Sequence, residues 1–163
     1  ARLAAIHDQL VRAAPDARVR LAHSGAEIGI HRDRIVVHPP ALAAFEIPWH
    51  GEPRLALPHG TLEFAAASGN SAVPSAALPD YGVSVRSRSG GERIQLAPGG
   101  STRALKRILQ EAGMPLWLRE SLPLVFCGEA LAAVPGIGIA VAFHAAPGAP
   151  GYAVNWRPAE RGS

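Results

Sequence analysis

Prolines at 48, 53 and 58 and glycines at 51 and 60 break the stretch between Phe45 and Leu62 so often that no helix of ordinary length fits there. This punctuation recurs along the whole chain, which holds 17 glycines and 15 prolines in 163 residues. Elements must therefore be short and turns numerous, and most apolar runs fit strands better than helices. Hydrophobic residues at 48% against 18% charged describe a chain that can bury a core. The length allows one ordinary domain or two small ones.

Two stretches escape the punctuation with helical spacing. "RLAAIHDQLVRAA" places Leu3, Ile6, Leu10 and Ala13 on one side and is stopped by Pro15. "TRALKRILQEA" places Leu105, Ile108, Leu109 and Ala112 on one side and Arg103, Lys106, Arg107 and Gln110 on the other. Ser101 reads as its N-cap, Gly113 as its C-cap, and Pro115 forbids continuation. "PLWLRESL" fits one more helical turn. Strands are expected at "RVRLA", at "AEIGIHRDRIVVHPP" with a turn at Asp33–Arg34, and in the broken run through Leu62 and Phe64. They are also expected at "YGVSVRSRS", around Ile94 and Leu96, and at "LVFC", "ALAAVP" and "GIGIAVAF". "GYAVNWRP" reads as a final edge strand, and "AAPGAPG" as a connecting loop.

"SGNSAVPSAALPD" has no strong periodicity and reads as a linker. Charge changes across it. Residues 1–70 hold seven arginines and seven acids, whereas residues 81–163 hold nine cations and five acids. The expected organisation is therefore α+β in two modules: residues 1–70 as a helix plus antiparallel sheet, 71–80 as linker, and 81–163 as a second α+β unit. Seven of the nine later cations lie between Arg86 and Arg119, opposed there by Glu92 and Glu111. A field this dense attracts polyanions. Glycine pairs at Gly90–Gly91 and Gly99–Gly100 flank it, the second beside the expected helix start, where backbone N–H groups suit phosphate.

No catalytic constellation emerges. "SGGERI" begins like the ATP-pyrophosphatase loop SGGxDS, but Arg93 and Ile94 stand where Asp and Ser are needed. GxxxxGK[ST], GxGxxG and GxSxG are absent. Histidines 7, 23, 31, 38, 50 and 59 form neither HExxH nor an HxxxH helix pair, and the single cysteine, Cys127, supports neither an internal disulfide nor a thiolate zinc cluster. Cys127 sits in an apolar run and reads as a buried thiol; Trp49, Trp117 and Trp156 read as core. No metal site and no cofactor site is expected. No apolar run reaches membrane-span length and no signal-peptide pattern opens the chain, so a cytoplasmic setting is expected. The first residue is Ala1, which points to a processed chain or a piece of a longer one.

"RxRxGGERI" followed by "GGSTRALKRILQEAGMPLWLRESLPLVFCGEALAAVPG" resembles the C-terminal domain of bacterial tRNA(Ile)-lysidine synthetase over about residues 86–138. The earlier residues resemble the preceding substrate-binding domain more weakly. The resemblance implies a β-sandwich-like α+β fold for the second module, similar to a module of the phenylalanyl-tRNA synthetase β subunit. It implies tRNA as partner, specifically the minor isoleucine species, held at its body or acceptor stem. It places the ligation of lysine to the wobble cytidine, with ATP and lysine, in a catalytic domain that this chain lacks. The residues then expected to contact tRNA are Arg86, Arg88, Gly90, Gly91, Arg93, Gly99, Gly100, Ser101, Arg103, Lys106, Arg107 and Arg119. Two other readings stay open: a structural or homodimerising module with an incidental basic face, and an editing-like module.

Overall fold

The structure is a computed structural model, and it describes residues 18–20, 27–32, 34–38, 40, 42–68, 73–74 and 82–159. The helix expected over residues 1–13 lies outside them. The described chain is mostly sheet with few helices. Its strands are β1 (Arg18–Arg20), β2 (Glu27–His31), β3 (Arg34–His38), β4 (Glu46–Trp49), β5 (Arg54–Leu57), β6 (Gly60–Ser68) and β7 (Val73–Pro74). They continue with β8 (Val83–Arg86), β9 (Arg93–Ile94), β10 (Arg103–Ala104), β11 (Leu124–Cys127), β12 (Ala130–Val134), β13 (Gly138–Ile139) and β14 (Pro150–Pro158). Two helices, α1 (Leu105–Glu111) and α2 (Leu116–Ser121), lie between β10 and β11.

Two sheets form the centre. One runs β13-β12-β11-β8-β4 and the other β5-β6-β14-β7. Period-two alternation sends successive side chains of the first sheet to opposite faces. Val83, Val85, Val125 and Cys127 meet Leu55, Leu62, Phe64 and Val73 of the second sheet in one core. Leu124 and Val134 turn the other way and pack with Leu105, Ile108 and Leu109 of α1 and with Ile94 and Leu122. The molecule is thus layered: sheet, sheet, helices. Trp49 closes the inter-sheet core, stacked on Phe64 at 4.3 Å and edge-on to Tyr152 at 5.2 Å. Trp156 packs against both cores. Burial pushes the Cys127 thiol pKa upward, so the thiol stays protonated and inert.

This pairing departs from the expected division at 71–80. β4 pairs with β8, with Ile47 opposite Val85, and β6 pairs with β14 over nine residues, with Phe64 opposite Val154. Strands on both sides of the supposed linker complete one another's sheets. The linker itself contributes β7, whose Val73 is 2% exposed in the core. A run of Ser, Ala and Pro lacks periodicity, yet its one valine is a core residue. For the same reason β14 is not an edge strand: it lies between β6 and β7. "GIGIAVAF" gives a two-residue strand, β13, and then a 3-10 turn at Val141–Phe143. β1–β3 form a separate antiparallel sheet. Its last residue, His38, lies flat on Trp117 of α2 at 4.7 Å, with 7° between the rings.

Candidate nucleic-acid interface

The basic segment does not project as one face. Three of its expected contacts, Arg86, Arg88 and Arg119, are held against the fold. Arg86 leaves the end of β8 and is clamped by Glu46 at 2.9 Å and by Glu129 at 3.1 Å, with its guanidinium 4.7 Å from the Phe126 ring centroid. The Glu129 hydrogen bond leads the causes that raise the Arg86 pKa. Arg88, whose side chain is 11% exposed, pairs with Glu92 at 3.2 Å and donates to the Arg119 carbonyl at 3.2 Å. Arg119 is itself 3% exposed. Alternation along a strand indicates which side a residue leaves, but not the acid that waits there.

The first glycine pair is filled from within. The Glu92 carboxylate accepts hydrogen bonds from the backbone N–H of Ser89 at 2.7 Å and of Gly90 at 2.8 Å. Burial raises the Glu92 pKa, but these backbone donors and Arg88 outweigh it, and the group lies below the usual carboxylate range. The loop is an anion nest, as its glycines suggest, and its anion belongs to the chain. Gly90 and Gly91 take φ of 92° and 81°, a region that favours glycine.

The second glycine pair stands apart from the helix start. Gly100 N–H closes a turn on the Ala97 carbonyl at 3.0 Å. Residues 103–104 then pair with β9 before the helix begins, so the N-cap is Ala104 and not Ser101, with no side-chain cap bond. The Leu105 N–H is taken by the Glu92 carbonyl at 2.8 Å. The reason is the β9–β10 pairing, which continues extended backbone three residues past the serine.

What remains outward is a smaller set. Arg93, Lys106 and Arg107 are exposed. Arg103 precedes the helix, with its side chain 42% exposed. Glu111 gathers two of the four: it accepts from Arg103 at 2.6 Å and from Arg107 at 3.2 Å. The Arg103 hydrogen bond, first among the causes, holds the Glu111 pKa low. Arg93 donates to the Thr102 carbonyl at 2.7 Å, which fixes its guanidinium beside the same edge. Sequence reasoning named all four of these cations. It missed the Arg103–Glu111 pair, because their separation of eight residues falls outside helix-neighbour rules when one partner lies outside the helix.

Two further arginines, far from this segment in sequence, were not singled out. Arg54 and Arg157 flank Glu63 on neighbouring strands at 3.3 and 2.6 Å and border an open groove at the β5–β6–β14 surface. Strand register alone brings them together, so no local signal marks them.

Comparison with known proteins agrees with this architecture. Residues 83–156 match the family model described as the TilS substrate C-terminal domain. A crystal structure of a TilS C-terminal domain superposes with a TM-score of 0.58 at 25% identity, covering 73% of this chain and all (100%) of that one. Residues 83–156 belong to the TilS C-terminal domain family. Among curated relatives, the tRNA(Ile)-lysidine synthase of Nitrosomonas europaea is 38% identical over 158 residues, which is 93% of this chain and 34% of that protein. That of Alkalilimnicola ehrlichii is 34% identical over 147 residues, 85% of this chain and 32% of that protein. The chain therefore spans about a third of the length of these relatives. The family match covers β8 through most of β14, so it contains α1, α2 and the whole basic segment. Among the described residues no helix is long and apolar enough to cross a membrane.

Proposed function

We propose that this chain is a tRNA-holding module of a tRNA(Ile)-lysidine synthase, the ATP-dependent ligase that joins lysine to the wobble cytidine of the minor isoleucine tRNA. The observation that carries the reading is the outward set of Arg93 and Arg103 on the paired strands β9 and β10 with Lys106 and Arg107 on α1, all within the family-matched residues. Phosphates of a helical stem are the ligand that such a surface fits. Backbone contacts of this kind position the tRNA and read little sequence. The chemistry of ATP and lysine is assigned to none of these residues. Kinship with the phenylalanyl-tRNA synthetase module and a cytoplasmic setting stand as parts of the same proposal.

Filter binding of tRNA across salt concentrations tests it. Four phosphates neutralised, one for each cation, give a slope of about −3 to −4 in log affinity against log salt. Changing Arg103, Lys106 and Arg107 together to alanine should flatten that slope to about −1, the part that Arg93 alone leaves. Arg86→Ala, whose guanidinium is occupied by Glu46 and Glu129, should leave it unchanged. An unaltered slope in the triple variant removes the surface assignment. A tight dimer with no tRNA binding would favour a structural role instead.

A further inference from the structure

Beside the basic edge lies a cleft of about 410 Å³, within the range of small-ligand sites. Three parts of the chain meet there: the segment before β4, the loop after β8, and the two helices. Leu42 and Leu116 give it an apolar wall, Lys106 and Glu120 line it, and Arg88 and Arg119 also contribute. The Arg88 bond to the Arg119 carbonyl ties the β8 loop to α2, so the walls are held in place before any ligand arrives.

We propose that this cleft takes one unpaired nucleotide of the bound RNA, its base against Leu42 and Leu116 and its phosphate on Lys106. The inference rests on the tRNA reading above and deepens it. Three features favour a nucleotide over a bare phosphate. The lining is partly apolar, which a base face fills and a phosphate does not. It carries both signs of charge, with Glu120 beside the cations, which weakens it for an anion alone. Lys106 belongs both to the cleft and to the outward basic set, so a backbone running along Arg103 and Arg107 reaches the cleft without a break. Leu42 is 39% exposed beside that cation, an apolar side chain left to solvent at a charged rim.

The test uses the whole chain and two RNA hairpins of one sequence, one blunt and one extended by unpaired adenosines at its 3′ end. Binding is measured by fluorescence anisotropy at fixed salt. The extended hairpin should bind about tenfold tighter, the order expected when a base face is buried against apolar side chains. Leu42→Ser, at a half-exposed site that the fold does not need, should erase that advantage and leave blunt binding unchanged. Equal affinity for both hairpins in the unaltered chain overturns the cleft and leaves the tRNA surface standing. An advantage that survives in both Leu42→Ser and Leu116→Ser also overturns it. Failure of both hairpins and of tRNA to bind sinks the tRNA reading and the cleft with it.

Discussion

Replacing Glu92 by alanine should cost about 3 kcal/mol of folding stability, and the figure follows from what the carboxylate holds. Its side chain is 6% exposed and that of its partner Arg88 is 11% exposed, at 3.2 Å. At an effective dielectric near 20 the attraction is roughly 5 kcal/mol, but desolvating both groups offsets most of it. The net worth of the pair is therefore small, whereas losing one partner strands a buried guanidinium, which costs about 3–5 kcal/mol. The N–H groups of Ser89 and Gly90 also lose their acceptor, but both residues are exposed and water replaces it, so the lower end applies. For a chain of this size that corresponds to a Tm lower by roughly 6–12 °C. Urea denaturation followed by tryptophan fluorescence measures it. The double variant Arg88→Leu with Glu92→Leu should cost less than the sum of the single changes, because no charge is stranded. Additive costs, or a loss under about 1 kcal/mol in Glu92→Ala, would refute the argument. The pH dependence has a definite sign. The folded carboxyl lies below its ordinary range, so its contribution is present above the unfolded pKa of about 4.3 and lost as pH falls through the folded value. Glu92→Gln should therefore show a smaller loss of Tm than the unaltered chain on acidification below about pH 4.3.

Glu111→Gln removes the acid that engages both Arg103 and Arg107; tRNA binding at low salt should tighten a few-fold, with a salt slope steeper by up to about one unit, and unchanged or weaker binding in the same filter assay would count against the phosphate surface. Gly60→Ala should destabilise the fold by about 1–3 kcal/mol in urea melts, since an added Cβ would meet the Arg157 carbonyl oxygen and the Trp156 ring across the β6–β14 pairing; a neutral result would mean that this strand pair can shift apart.

Local information was strong where neighbours in sequence decide the outcome. The stripe marked α1 and its buried face at Leu105, Ile108 and Leu109, while Ala112, its fourth member, is the exposed C-cap; "PLWLRESL" marked α2, because helix contacts recur every three or four residues. Gly113 at φ of 70° ends the first helix as its position suggests. Motif spacing over residues 86–138 was enough to point to the family. Tertiary structure decided everything that depends on distant partners. Arg86 meets Glu129 across 43 residues, and Arg157 meets Glu63 across 94. Whether a cation faces solvent or an acid is set by such pairings, and neither period nor composition contains them. The same holds for Val73 within the supposed linker, which pairing with β14 brings into the core. It holds also for the glycine pair at 90–91. The sequence indicated a turn there, and only the folded chain shows the Glu92 carboxylate seated on the N–H groups of Ser89 and Gly90, because the loop's closed conformation and not its composition sets that contact.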